Sequence, residues 1–368
     1  MLKEASLIGL YGCDFYRILQ NCISLSNRTE WMKMKDNELK ADERLAALLK
    51  WLNLYFLEKP FTFELASGDA SFRRYFRIFQ EEQSFIVMDA PPGKEDCRPF
   101  VKIATAMQRL DLNVPEVLAS DIEDGFLLLT DFGDEQYLDV LDAGNVDALY
   151  NDAFRALLKL QKAAVPADLP AYDYDLLISE MCLFGDCLLG DYLSISGADD
   201  LEETFELLAQ SAMQQPAVWV HRDFHSRNLM RTHQANPAIL DFQDAVCGPV
   251  TYDVVSLLKD CYISWPDERV NHWLRSYYEM LLEQRIVDVD FDVFRRWFDL
   301  MGIQRHLKAA GIFARLNCRD GKPTYLKDIP CTLKYIHDVS CRYPELENLA
   351  ILLRKKIMPA MNAALSSF

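Results

Sequence analysis

The stretch VWVHRDFHSRNLMRTHQANPAILDFQDAVCGPVTYDVVSLL, residues 218–258, constrains this chain more than any other. An apolar strand-like run, Val218 to Val220, delivers His221, Arg222 and Asp223, and five residues beyond that aspartate comes Asn228. A second short apolar run, Ala238 to Leu240, delivers Asp241. Two strands ending in carboxylates, with an amide between them, set a base beside a hard-oxygen donor set of the kind magnesium prefers.

That order of groups is the one phosphoryl transfer uses. The reaction asks little covalent chemistry of a protein; it asks that ATP, its Mg²⁺ and the attacking hydroxyl be held in line while charge is neutralised. Asp223 is the candidate to orient and deprotonate the hydroxyl, a contribution of roughly 10² to 10⁴ in rate where base help matters. Asn228 and Asp241 are the candidate magnesium ligands.

At 368 residues the chain has room for two lobes. Half of its residues are hydrophobic, enough for a large core. No apolar run reaches the roughly 18–20 residues of a membrane span. The ten cysteines form no Cys-x-x-Cys pair, which suits reduced thiols in a cytoplasm. A net charge of −17 argues against nucleic acid, whose backbone needs a basic footprint, but not against a nucleotide arriving with its own cation.

Residues 1–35 read as an N-terminal extension outside the fold, either upstream of a natural start at Met32 or Met34 or a genuine N-terminal helix; they lack a clean signal core. From Asp42 on, Leu45, Leu48, Leu49, Leu52 and Phe56 recur at helical spacing until Pro60. FTFEL, SFRRYFRIF and SFIVMDA read as strands, Phe100, Ile103, Ala104 and Met107 mark a helix, and VPEVLAS and GFLLLT make two more strands. The turn SGDASFRR lies where a first hairpin would cover phosphates, with Gly68 allowing close backbone approach and Ser71 beside it. Asp131-Phe132-Gly133 spells a kinase-like metal motif about ninety residues too early, so it reads as the segment meeting adenine. Beyond it, Leu138–Leu141, Ala148–Gln161, Leu176–Leu189 and Leu201–Met213 carry helical periodicity. After the catalytic stretch Thr251 is expected to cap a helix, with Asp253 in its first turn pinning the loop and His221 packed as its support.

HRDFHSRN, with His225 two positions after the aspartate, resembles the catalytic loop of the aminoglycoside phosphotransferase and choline kinase group. Over a longer reach, LDFQDAVCGPVTYDVVSLLKDCYISWP, MGIQRHLKAAGIFARLNCRDGKPTYL, SGDASFRRYFR and VMDAPPGKEDC resemble the anomeric amino-sugar kinases of bacterial cell-wall recycling, from about Leu39 to the C-terminus. The resemblance implies an α+β, protein-kinase-like two-lobed fold: a small N-lobe, residues 36–132, with a five-stranded antiparallel sheet that binds nucleotide, and a mostly helical catalytic and substrate-binding C-lobe, residues 133–368. It implies ATP-dependent phosphorylation of the C1 hydroxyl of N-acetylmuramate or N-acetylglucosamine. His225, Gln304, Arg305 and Lys308 are the expected sugar-binding set, Gln304 and Lys308 sharing a helix face at i and i+4. The expected partners are ATP and an amino sugar, with no nucleic acid or membrane and a monomer favoured.

One departure from the wider kinase pattern stands out. The third strand ends Val87-Met88-Asp89 where kinases carry a phosphate-holding lysine, and no carboxylate lies between Phe100 and Leu110 to pair with one. Arg73, Arg74, Arg77 and Lys94 are the cations at hand; Arg74 joins Gly68, Ser71 and Asp131 in the expected nucleotide-binding set. Two other readings stay open: the same fold acting on an aminoglycoside or choline-like cation, which the acidity would suit, and a nucleotide-binding module without turnover.

Overall fold

A computed structural model describes residues 42–68, 72–196 and 201–366. The expectations for residues 1–35 and for Ser71 lie outside the described residues. Two compact units are present: residues 42–63 with 78–83, and the remainder.

In the first unit, α1 (Glu43–Tyr55) starts at Asp42, whose carboxylate accepts the Leu45 amide at 3.0 Å as an N-cap should. Leu48 and Leu52 are its fully buried positions. The Phe56 ring packs edge-on to Tyr55 and tilted against Phe61.

Strands β1 (Thr62–Gly68), β2 (Arg74–Gln80), β3 (Gln83–Asp89), β4 (Val117–Asp121) and β5 (Phe126–Thr130) form one sheet in the order β1-β2-β3-β5-β4. β5 is interior to the sheet, and its Phe126–Leu129 run is buried on both faces, which is why it reads as continuous apolar sequence rather than as alternation. It pairs antiparallel with β3, Phe85 opposite Thr130 through Asp89 opposite Phe126, and with β4 across a register shift between Val117 and Ala119. α2 (Arg98–Gln108) buries Phe100, Ile103, Ala104 and Met107, the stripe its sequence displays.

The rest of the chain is mainly helical. α3 (Tyr137–Val140), α4 (Val146–Lys162) and α5 (Tyr174–Leu183) lead into a π-helical stretch, Phe184–Tyr192, and then α6 (Glu202–Met213). Two small ladders follow, β6 (Ala217–Val220) with β9 (Val246–Pro249) and β7 (Leu229–Met230) with β8 (Ala238–Ile239). After these come α7 (Tyr252–Leu258), α8 (Asp267–Glu283), α9 (Phe291–Cys318) and α10 (Ile329–Ser340), with a 3₁₀ segment, Pro323–Asp328, between the last two. No helix among the described residues is long and apolar enough to cross a membrane.

The 28-residue α9 is the axis of this region, packed against α5, α6, α7 and α10. It is buried nearly all round, so its sequence shows no single apolar stripe. Asp299 within it is buried and paired, taking Lys259 Nζ at 2.8 Å and the Tyr343 hydroxyl at 2.9 Å. Gly311 sits where α9 crosses the end of α5; a Cβ there would lie 2.4 Å from the Leu183 carbonyl carbon and 2.6 Å from its oxygen. Backbone cannot give way as a side-chain tip can, so Gly311→Ala is expected to cost about 1–3 kcal/mol, read as a lowered denaturant midpoint by circular dichroism. An unchanged midpoint would mean that the two helices can slide apart freely.

Candidate active site

The β6–β9 ladder ends at Val220 opposite Val246, and the chain leaves it as His221-Arg222-Asp223. Arg222 adopts φ +79°, a left-handed conformation that an arginine takes only when its surroundings hold it there. The holding group is Asp253, fully buried in the first turn of α7: its Oδ2 accepts the His221 amide at 2.7 Å and its Oδ1 the Arg222 amide at 3.0 Å. The other end of the loop is held by Asp260, whose Oδ2 accepts the Ser226 amide at 2.9 Å while Oδ1 takes that of Tyr262 at 3.0 Å. His221 is buried as a neutral support: burial pushes it down to about 4, and its Nδ1 accepts the Asp223 amide at 3.2 Å.

The second ladder brings in the remaining polar groups. The Leu240 amide donates to the Asn228 carbonyl at 2.8 Å, which extends β7–β8 by one rung and sets Asn228 beside Asp241. The Asn228 amide nitrogen donates to the Asp223 carbonyl at 3.0 Å and reaches Asp241 Oδ2 at 3.4 Å. With that nitrogen engaged, its carbonyl oxygen is the atom it offers a cation. Asp241 also sits at positive φ, +62°, and its Oδ1 accepts from Gln243 Nε2 at 2.7 Å. An amide oxygen and a carboxylate are the donor types that fit Mg²⁺, which takes its other ligands from phosphate and water.

Two cavities meet at these residues. One, of about 330 Å³, is lined by Asp223, His225, Asp241, Arg305 and Lys308, with Tyr262, Phe313 and Tyr325 on its walls. The other, of about 480 Å³, is lined by Ala66, Tyr75, Ile86, Leu129 and Phe132. Arg227, Asn228 and Asp241 border both. Arg227 stacks 3.6 Å from the centre of the Tyr262 ring. Burial works against ionisation of Asp223, but Lys308 first, then His225 and Arg305, outweigh it and hold the carboxyl below its ordinary range. Asp223 is therefore a carboxylate at neutral pH, ready to accept a hydrogen bond.

The sequence profile of the phosphotransferase enzyme family matches residues 62–288. The chain belongs to that family. An N-acetylmuramate/N-acetylglucosamine kinase of Pseudomonas putida is 49% identical over 293 residues, covering 78% of this chain and 86% of the relative. One from Neisseria meningitidis serogroup B is 41% identical over 321 residues, covering 84% and 95%. A choline kinase from Streptococcus pneumoniae superposes with a TM-score of 0.57 at 12% identity, over 80% of this chain and all of the other. An ADP-bound aminoglycoside phosphotransferase does so at 0.53 and 18% identity, over 80% and 98%. The fold is the kinase-like one of this family, and the protein is an ATP-dependent small-molecule kinase.

Several residues singled out from the sequence lie elsewhere than expected. Gln304 is not in the cavity wall: its Nε2 donates to the Tyr172 hydroxyl at 3.2 Å, because Arg305 and Lys308, at i and i+3, take the inward face. By contrast, Asp131 does line the second cavity, its carboxylate held by Arg77, Nε to Oδ2 at 2.7 Å, and accepting the Gly133 amide at 2.9 Å. Arg74 is bound to fully buried Asp89, Nε to Oδ2 at 2.9 Å. Gly68 ends β1. Thr251 stands at the N-cap of α7 without capping; its hydroxyl donates to Gln215 Oε1 at 2.7 Å instead.

Other residues of this kinase carry no local sequence signal. Glu180 gathers the Tyr172 hydroxyl, the Arg222 guanidinium and Lys308 Nζ, the last at 3.0 Å; Lys308 also donates to the Tyr252 hydroxyl at 3.1 Å. Gly248 permits this cluster, since a Cβ on it would lie 2.9 Å from Tyr172 Cβ. Glu180 lies on α5 and Asp260 just after α7, and only long-range contact gives each its role.

Burial raises the Asp253 carboxyl to about 7, although its two amide donors pull the other way. A folded-state value above the unfolded one means stability from this group is present at low pH and is lost as pH rises from about 4 through about 7. Asp253→Asn should remove that slope from the pH dependence of unfolding. It should also lower kcat by roughly tenfold to a hundredfold, since the amide offers one acceptor atom to two N–H donors and the loop shifts. Parallel wild-type and variant stability curves over this range would sink the assignment.

Proposed function

We propose that the protein transfers the terminal phosphoryl group of ATP to the C1 hydroxyl of N-acetylmuramate, N-acetylglucosamine or both, in peptidoglycan recycling. The observation that carries this reading is the 330 Å³ cavity, in which an ionised Asp223 faces Arg305 and Lys308 between aromatic walls. Nucleotide is assigned to the 480 Å³ cavity, which residues of both 36–132 and 133–368 line. Magnesium, held by Asn228 and Asp241, supplies charge neutralisation at the phosphates.

Asp223 accepts the hydrogen bond of the sugar hydroxyl and points its oxygen along the line of attack. Its low basicity suits a loose transition state in which the proton leaves late, and a hemiacetal hydroxyl is more acidic than an ordinary alcohol. The lactyl carboxylate of N-acetylmuramate is matched to Arg305, whose buried Nε has no hydrogen-bond partner among the described residues, whereas Lys308 is tied to Glu180 and Tyr252. Tyr262, Tyr325 and Phe313 offer faces to the sugar ring, and His225 lies edge-on to Tyr262. The cavity's Arg73, Arg227, Arg305 and Lys308 weigh against a cationic acceptor, since the protein's acidity is not concentrated there. A cytoplasmic monomer without nucleic-acid or membrane partners completes the reading.

With ATP, Mg²⁺ and either amino sugar, ³¹P NMR should show a proton-coupled sugar phosphate that mild acid destroys and that Asp223→Asn fails to make. Silence from both sugars would overturn the substrate. Arg305→Met should raise KM for N-acetylmuramate by about tenfold or more and leave N-acetylglucosamine within about threefold, the worth of a charged hydrogen bond. Equal losses on both would remove Arg305 from carboxylate recognition.

A further inference from the structure

The lysine that kinases place at the end of the third strand is replaced here by Asp89, so another cation must meet the phosphates. Four lie near in sequence, and their contacts separate them. Arg74 is committed to Asp89. Arg77 is committed to Asp131, Asp134 and the Gly133 carbonyl. Lys94 lies over the Phe72 ring, 4.3 Å from its centre, and lines neither cavity. Arg73 alone of the four lines the cavity that holds Asp223, Asn228 and Asp241.

We propose that Arg73, braced by Glu95, grips the transferring phosphoryl group of ATP, doing from the start of β2 what a third-strand lysine does in other kinases. Its side chain is 11% exposed, with Nε and Nη2 at 3.3 and 3.2 Å from Glu95 Oε2 and Nη1 3.8 Å from Asp241 Oδ1. Glu95 Oε1 also accepts the Phe72 amide at 3.4 Å, so one carboxylate steadies both the guanidinium and the backbone that carries it. The ion pair that looks missing from α2 is thus present in another form: the acid sits three residues ahead of that helix, and the base one residue ahead of β2.

The electrostatics suit such a group. Asp223, Asp241 and Asp244 already line this cavity, and a nucleotide adds further negative charge. A planar guanidinium can span two phosphoryl oxygens, and bracing by Glu95 fixes its orientation in advance. As the bond from phosphorus to the β-bridging oxygen breaks and that to the acceptor oxygen forms, Asp223 takes the acceptor's proton and Arg73 keeps its own, supplying charge only. The proposal rests on Asn228 and Asp241 marking the phosphate end of the nucleotide site.

The test compares ATP and ADP binding in the presence of Mg²⁺ by calorimetry, beside turnover and melting, for full-length Arg73→Met, Arg73→Lys, Glu95→Gln and the Arg73→Met/Glu95→Gln double variant. Lys94→Met serves as the remote-cation control. Arg73→Met is expected to weaken ATP about tenfold more than ADP and to cut turnover by about 10²-fold or more, with Arg73→Lys recovering part of both. Glu95→Gln should show a smaller loss of the same kind and add nothing on top of Arg73→Met, because it acts through that residue. Lys94→Met should match wild type. An unchanged ATP-to-ADP affinity ratio in Arg73→Met, or in Arg73→Lys should the methionine variant melt early, overturns the proposal. A wrong acceptor would appear as wild-type protein that makes no sugar phosphate, which leaves the nucleotide comparison intact and the two failures distinct.

Discussion

Two hydrogen bonds to one buried carboxylate set the geometry on which this site depends. Asp253 accepts the amides of His221 and Arg222, and that clamp fixes the backbone at which Arg222 takes φ +79°. The turn so produced aims Asp223 away from the β6–β9 ladder and into the cavity. The cost is a carboxylate taken fully out of water, visible in its raised pKa. Asp260 repeats the device at Ser226, so a six-residue span is fastened at both ends by acids on or just after α7.

Around that loop the protein builds a positive pocket inside a strongly acidic chain. Arg305 and Lys308 project from α9, whose burial on nearly every side leaves their charged ends few directions except the cavity. Their field keeps Asp223 ionised despite its surroundings. Glu180 then balances Arg222 and Lys308 behind the wall, so the cluster is paired where it is dry. Net charge therefore says little about the site; the local arrangement decides which acceptor can enter.

Spacing along the chain made much of this legible. Asp223 and Asp241 each follow a short apolar run, Asn228 precedes one, and the ladders that form from those runs bring the three together. The helices up to α7 and the five strands of the sheet were readable from periodicity and residue type, β5 from its unbroken apolar run, whereas α9 shows no stripe to read. Less legible were the groups whose partners are remote in sequence. Arg74 looked like a phosphate ligand until its partner fifteen residues on, Asp89, was located, and Arg73 gained its position only from Glu95 and Asp241.

Local chemistry in the sequence determined which groups are on offer: hard oxygens, a carboxylate after a short strand, glycine where backbones cross. Tertiary structure decided which of several like-charged candidates reach the cavity. Arginines 73, 74 and 77 lie within five positions of one another and differ little by propensity or charge, yet each meets a different acid. Gln304 and Arg305 are neighbours on one helix, and a rotation of about 100° per residue sends one to Tyr172 and the other to the cavity that holds Asp223. Such choices depend on distances across the fold, which no short stretch of chain encodes.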